Sequence, residues 1–320
     1  MYQNITICLD LTDKDQTLID FAIYLRKLYA PKSLTLLHAA HLSYLPEKIR
    51  QKYMTDIAVA KLKTRIRAEI ACKVDALRDF SPHIKILDGH PRTEISEWID
   101  RHGTDLVVIG KGNEAHESCA LARQLARNSE ASVMIIPQGS KAVFKSLLCP
   151  TDFTKDAENA LIAACKIGQV AGARHLEIFH LYYPPIYQYD SELELDYQFE
   201  WSYSGFERDI ADYSQNQLEN LKERAVVARS GMQVSTVLEG GTDIPLAIEE
   251  RAEKREADLC VIGQCDRSPI NAFLLGSTAE KLIQVLRVPL LVVGHIESLA
   301  HYVEVPRAGA TASVQATQLP

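Results

Sequence analysis

The stretch 145–168, "KSLLCPTDFTKDAENALIAACKIG", repeats the pattern of 4–28, "NITICLDLTDKDQTLIDFAIYLRKL". Each opens with a short apolar run, turns at an aspartate and passes into a segment with helical spacing. Asp10 stands opposite Asp152 and His38 opposite His180, both 142 positions apart. Two independent landmarks sharing one offset identify a duplication, and a period this long makes the repeat a whole domain.

The correspondence runs on. "IKILDGHPRTEISEWIDRHGTDLVVIG" (84–110) lies opposite "VSTVLEGGTDIPLAIEERAEKREADLCVIG" (234–263), with Gly89 facing Gly240 and Gly110 facing Gly263. The last strands are 132–137 and 289–294. Each copy reads strand–helix four times over, ending in a fifth strand. In the first copy the strands fall at 4–9, 33–38, 84–88, 105–109 and 132–136. Continuous apolar runs suit parallel strands buried on both faces. In "TEISEWIDRH", Ile95, Trp98 and Ile99 share one helical face. Strands alternating with such helices predict open α/β sheets, whose ligands sit at the carboxyl ends of strands where the strand order reverses.

The bulk numbers agree with two domains: 320 residues, 47% apolar, 24% charged. The net charge of −7 argues against nucleic acid or an anionic membrane as main partner, since both need a basic face. No apolar run approaches a membrane span, and "MYQNITICLDL" reads directly as a strand rather than a leader. The seven cysteines form no CxxC pair, and several sit inside apolar runs. This predicts a reduced, cytoplasmic protein without a disulfide framework.

One segment carries binding chemistry. Gly263–Thr278, "GQCDRSPINAFLLGST", joins the run "ADLCVIG" to the helical "AEKLIQVLR". A phosphate needs close backbone approach and several convergent N–H groups. Glycine permits the first and a helix N-terminus supplies the second. The same residues have a simpler use, because Ser277–Glu280 reads as a capping box that starts a helix.

The two copies resemble the universal stress protein family in its tandem form, over about 1–140 and 143–295. The second copy carries the likeness best, in "LLCPTDFT", "IFHLYY", "ADLCVIG" and "LLGSTAEKLIQVLRVPLLVV". Nucleotide-binding members have Gly, two residues, Gly, nine residues, then Gly-Ser or Gly-Thr. Here the spacing is intact, with Asp266 in the place of the second glycine and Gly276-Ser277 at the end. The resemblance implies two flavodoxin-like α/β domains with strand order 3-2-1-4-5, paired through their final strands. It implies an ATP site in the second domain. Pro150, Thr151, Asp152 and Leu181 would meet the adenine side, and Gly263, Cys265, Asp266, Gly276, Ser277, Thr278 and Ala279 the ribose and phosphates. Association of two such chains into a homodimer is a further expectation.

Asp266 opposes that site electrostatically. A like charge ~4 Å from a phosphate costs about 1 kcal/mol in water and about 4 at an effective dielectric of 20, weakening ATP roughly tenfold to a thousandfold. Arg267 beside it, an outward turn of the side chain, or a Mg²⁺ held there would each offset this. The first copy has less. Counting back from its final strand puts Cys119-Ala120 opposite Gly276-Ser277, so the first domain is expected to bind no ATP and to serve as the pairing half.

No nucleophile–base pair and no four-ligand metal pattern occurs. His38 and His180 read as structural residues at strand ends. Any ATPase activity would be weak. The insertion 182–206, "YYPPIYQYDSELELDYQFEWSYSGF", concentrates aromatic and acidic residues. It reads as a lid over its own sheet edge, or as the contact surface of a scaffold that uses no nucleotide. The counterpart in the first copy (44–70) reads as a basic amphipathic helix with a solvated outer face. The tail, 296–320, is expected to be partly disordered.

Overall fold

A computed structural model of the chain describes residues 1–12, 15–40, 48–49, 52, 56–73, 82–111, 116–183, 203–224, 231–264 and 275–294. The first half contains β1 (Asn4–Cys8), α1 (Asp15–Tyr29), β2 (Ser33–Ala40), α2 (Asp56–Lys73), β3 (His83–Asp88), α3 (Pro91–His102), β4 (Leu106–Lys111), α4 (His116–Asn128) and β5 (Ser132–Pro137). The second contains β6 (Ser146–Pro150), α5 (Lys155–Ala171), β7 (His175–Tyr182), α6 (Tyr203–Arg224), β8 (Gln233–Gly240), α7 (Ile244–Lys254), β9 (Leu259–Gly263), α8 (Ser277–Val285) and β10 (Leu290–Val293).

All ten strands form one sheet in the order β3-β2-β1-β4-β5-β10-β9-β6-β7-β8. Each half is 3-2-1-4-5, and the halves meet where β5 and β10 run antiparallel, with Met134 opposite Leu291 and Val133 opposite Val292. Every other pairing is parallel. The junction removes two apolar edges that would otherwise be exposed. Helices α1, α2, α5 and α6 cover one face, burying Leu18, Ile70, Ala160 and Leu218. Helices α3, α4, α7 and α8 cover the other, burying Ile95, Ala122, Ile248 and Leu282. The expected outer helix of the first copy is α2, with Ile66 and Ile70 turned inward and Arg65, Arg67 and Glu69 outward.

Local signals set the helix ends. Thr154 caps α5 by accepting the Ala157 N–H, and Gly172 closes it at φ 60°. Asp243 caps α7 and His90 caps α3, each ahead of a proline in the first turn. Cys8, Cys119, Cys149, Cys165 and Cys260 are buried, as expected, while Cys72 is exposed. Burial pushes the Cys165 thiol up to about 12 and raises Cys149 too, so both are inert hydrophobes at neutral pH.

Two details depart from the sequence reading. The β2–β3 and β7–β8 ladders put Asp88 opposite Ala40 and Gly240 opposite Tyr182. Gly89 therefore corresponds to Gly241, and both donate their N–H back to those partners, Ala40 and Tyr182. The capping box at Ser277 is absent. Gly276 is the N-cap, without a side-chain cap, and Ser277 is already helical. Glu280 does not reach back, because its carboxylate pairs with Arg127 of the other half.

Candidate functional site

The strand order of the second half reverses between β6 and β9, so the crevice lies beyond Pro150 and Gly263. Pro150 is the last residue of β6 and is half-buried; Thr151 is buried and Asp152 is exposed. The N–H of Thr151 extends the ladder to the Phe179 carbonyl at 2.8 Å. Asp152 then turns the chain: its Oδ1 accepts the N–H and hydroxyl of Thr154 at 3.0 and 2.6 Å. Phe153 is forced into the left-handed region at φ 64°, a costly conformation for a side chain of this size. The first copy has the same device, with Leu11 at φ 65° and Thr12 on the Asp10 carboxylate.

His180 sits below this turn. Its Nδ1 is 2.7 Å from the Thr151 carbonyl, which can only accept, so Nδ1 carries the proton. Burial lowers its basicity, against the opposing pull of that carbonyl and of Asp152. The ring packs on Phe153, centroids 4.3 Å apart. His38 makes the same bond to Leu9 at 2.9 Å. Both histidines therefore hold the turn rather than face a substrate. Leu181, next on β7, is half-buried, and its side chain lies against Gly241.

Gly263 ends β9 directly under the start of α5. A Cβ there would lie 2.4 Å from the Asp156 carbonyl oxygen. This glycine is needed for helix packing, whatever else it serves. It also places the Asp152 turn and the end of β9 side by side. Helix α8 starts at Ser277, which is exposed, with Thr278 half-buried and Ala279 turned into the core. No described acceptor takes the N–H groups of Ser277, Thr278 or Ala279. A free helix N-terminus beside a glycine is a favourable place for an anion. Of the expected site residues, Cys265 and Asp266 lie outside the described residues, as does most of the aromatic insertion, 184–202.

The first copy differs from the second in two ways, one of them invisible in the sequence. Asp15, 1% exposed, accepts the N–H groups of Asp10 and Leu11 at 3.1 and 3.0 Å. A buried carboxylate thus takes the amides of the turn and adds negative charge at the β1 end. The matching residue in the second copy is Ala157. In addition, α4 starts at His116, so Cys119 lies inside its first turn, buried, with no glycine at a helix start. The counted match of Cys119-Ala120 to Gly276-Ser277 therefore does not hold as a match of helix starts.

The first domain also holds the second domain's loop from outside. Gln264, right after Gly263, is buried, and its Nε2 donates to the Ala126 and Ser129 carbonyls near the end of α4. Its counterpart Lys111 donates to the Leu286 carbonyl at the end of α8, 2.9 Å away. Glu280 is tied to Arg127, and the Cys119 thiol lies 3.7 Å from the Ile283 carbonyl. These contacts cross the pseudo-twofold axis, so spacing along the chain gives no sign of them. Among the described residues no three His, Cys, Asp or Glu side chains cluster as metal ligands, and no helix is long and apolar enough to cross a membrane.

Compared with protein-family models, the chain matches the Universal stress protein family twice, over residues 1–137 and 144–294. A search of curated proteins finds no match. Among solved structures, a universal stress protein from Archaeoglobus fulgidus is 19% identical with a TM-score of 0.64, covering 92% of this chain and 97% of its own. A functionally unknown protein from Pseudomonas aeruginosa is 15% identical with a TM-score of 0.58, covering 95% and 96%. At these identities the structures establish a shared fold. Since the family model spans both halves, the chain belongs to the universal stress protein family, as a tandem of two of its domains.

Proposed function

We propose that the second domain binds an adenine nucleotide, ATP in the first place, and that the chain acts in stress response by binding or sensing it. The observation that carries this is the switch point itself: β6 and β9 end side by side there, at the Asp152 turn and at Gly263, whose close approach to Asp156 joins the two. Asp152 and the backbone near Leu181 would hold the base. Gly276, Ser277 and the first amides of α8 would receive the phosphates, with or without Mg²⁺. A bound ATP supplies a purine surface and a polyanion; the chain supplies a polar turn and N–H donors that no described acceptor takes. No described residue is placed as a nucleophile or base, so the role is binding rather than efficient hydrolysis. The first domain, with Asp15 in its own turn, serves as the pairing half.

A second reading has its own support. Tyr183 (44% exposed), Ile244 (40%) and Leu246 (49%) follow β7 and β8 at the same carboxyl edge. They form an apolar rim that suits a protein or apolar ligand, consistent with a scaffold acting through the aromatic insertion.

Denaturing the purified protein and chromatographing the supernatant separates the two. Release of adenine nucleotide, with a raised melting temperature in millimolar Mg-ATP, is the expected result. Release of none together with no shift would leave the scaffold. Asp266→Gly is expected to tighten ATP binding at least tenfold.

A further inference from the structure

Outside the crevice, α3, α4 and the start of α8 enclose an open cleft of about 490 Å³ on the helical face of the domain junction. Its walls carry Arg92, Arg123 and Arg127, with Gln124, Asn128 and Glu280 between them. Arg92 belongs to α3, Arg123 and Arg127 to α4, and Glu280 to α8, so the charges converge from three elements. Three guanidinium groups face a single carboxylate, in a chain whose net charge is −7. Such a local excess of one sign raises the concentration of the opposite sign at the surface.

The roles inside the cleft are divided. Arg127 is engaged by Glu280. Gln124 spends its amide nitrogen on the Arg92 carbonyl and the Ser96 hydroxyl, at 3.3 and 3.2 Å, fixing α4 against α3. Arg92 and Arg123 form no ion pair with any described carboxylate. They thus line the cleft as two arginines without a described ion-pair partner, beside one ion pair at its edge. A guanidinium presents paired N–H donors in the geometry that a phosphate or carboxylate accepts bidentately. The volume falls in the range of small-molecule sites and exceeds what one inorganic ion needs.

We propose that this cleft binds a small polyphosphate anion through Arg92 and Arg123, with Arg127 held in place by Glu280. The site is separate from the purine crevice and would be present in the protein whether or not that crevice binds ATP. The same chemistry is offered by free pyrophosphate and by the phosphate tail of a nucleotide.

The test is isothermal titration of the full chain with sodium pyrophosphate in 50 mM NaCl, with sodium sulfate as the control anion. Saturable one-to-one binding is expected, tighter than sulfate and weakening as salt rises. The double variant Arg92→Gln/Arg123→Gln should lose at least tenfold in affinity, while Arg123→Lys, which keeps the charge and loses the fork, should lose less. Circular dichroism checks that each variant folds. Asp152→Ala, which alters only the purine crevice, should leave pyrophosphate binding unchanged. If the double variant loses pyrophosphate but keeps ATP, the cleft takes a free polyphosphate; if it loses both, the cleft takes the nucleotide's own tail. No binding at 5 mM pyrophosphate, or full affinity in the double variant, overturns the proposal.

Discussion

Replacing Gly263 by alanine tests whether this glycine serves packing. The new Cβ would stand 2.4 Å from the Asp156 carbonyl oxygen and 2.5 Å from its carbonyl carbon. Ordinary contact begins near 3.4 Å, so the start of α5 must retreat by about 1 Å, and backbone yields less readily than a side-chain tip. The close approach has a cause in the sequence: α5 presents Ala157, Ala160, Ala163 and Ala164 to the core, where α1 presents Leu18. Overpacking of this kind costs about 1–3 kcal/mol. At roughly 2–4 °C per kcal/mol for a large domain, the melting temperature should fall by about 3–10 °C. Gly110, the matching residue in the first copy, is an internal control. A Cβ there meets the Leu18 Cδ1 at 3.2 Å, the movable end of a side chain. Gly110→Ala should cost less than about 1 kcal/mol, and alanine's smaller unfolded-state entropy offsets part of that. Thermal and urea unfolding of the two variants give the answer. A Gly110→Ala penalty equal to or larger than that of Gly263→Ala would refute the packing account. The retreat of α5 also drags the Asp152 turn, so Gly263→Ala should weaken any ligand of that crevice while Gly110→Ala should not.

Other consequences can be measured on the same material. Glu177 is 2% exposed, binds Arg251 through both oxygens and is also bonded by Arg255. Glu177→Ala leaves the nearly buried Arg251 guanidinium with Glu239 as its remaining carboxylate, so the cost is about 1–3 kcal/mol, the range for a group that loses one partner. Urea unfolding should show this, and a loss below about 1 kcal/mol would contradict it. His180 has its folded-state pKa lowered by burial, so the unfolded chain binds the proton more readily. Its contribution is present above the unfolded value of about 6.5 and is lost as pH falls toward the folded value. Wild-type stability should decline on acidification below that point, with a shallower slope in His180→Gln over the same window. Equal slopes would show that His180 does not supply the pH dependence.

The legible part of this protein was the part written locally. Buried parallel strands appear as unbroken apolar runs such as Leu106–Ile109 and Leu290–Val293, and these gave the element order. The shared offset of Asp10/Asp152 and His38/His180 proved structurally sound, since each pair makes the same bonds in its own half. The pairing of the final strands came from the family resemblance, and what stayed hidden was the side-chain contacts made across the pseudo-twofold axis. Ser277–Glu280 has the letters of a capping box, yet the carboxylate that should have closed it is drawn to Arg127, 153 positions away. A neighbouring guanidinium outcompetes a backbone N–H for a carboxylate, and only the assembled sheet makes it a neighbour. The Gly240-Gly241 doublet is ambiguous by one residue, and only the ladder to Tyr182 assigns it.

The two halves also differ in how their matching turns are held. In the first copy Asp15 takes the turn amides that the second copy leaves to other acceptors. That single carboxylate strengthens the local turn. Meanwhile α4 of the first half keeps Gln264 and Glu280, at the two ends of the second half's loop, in place. The second half alone would lack Ala126, Arg127 and Ser129, and with them the outer support of both loop ends. Its residues 275–286 should then be less protected than in the full chain even if its core is intact, which hydrogen exchange would show directly. Equal protection in the isolated half would mean that the loop ends hold themselves, and that the first domain contributes only its strand β5.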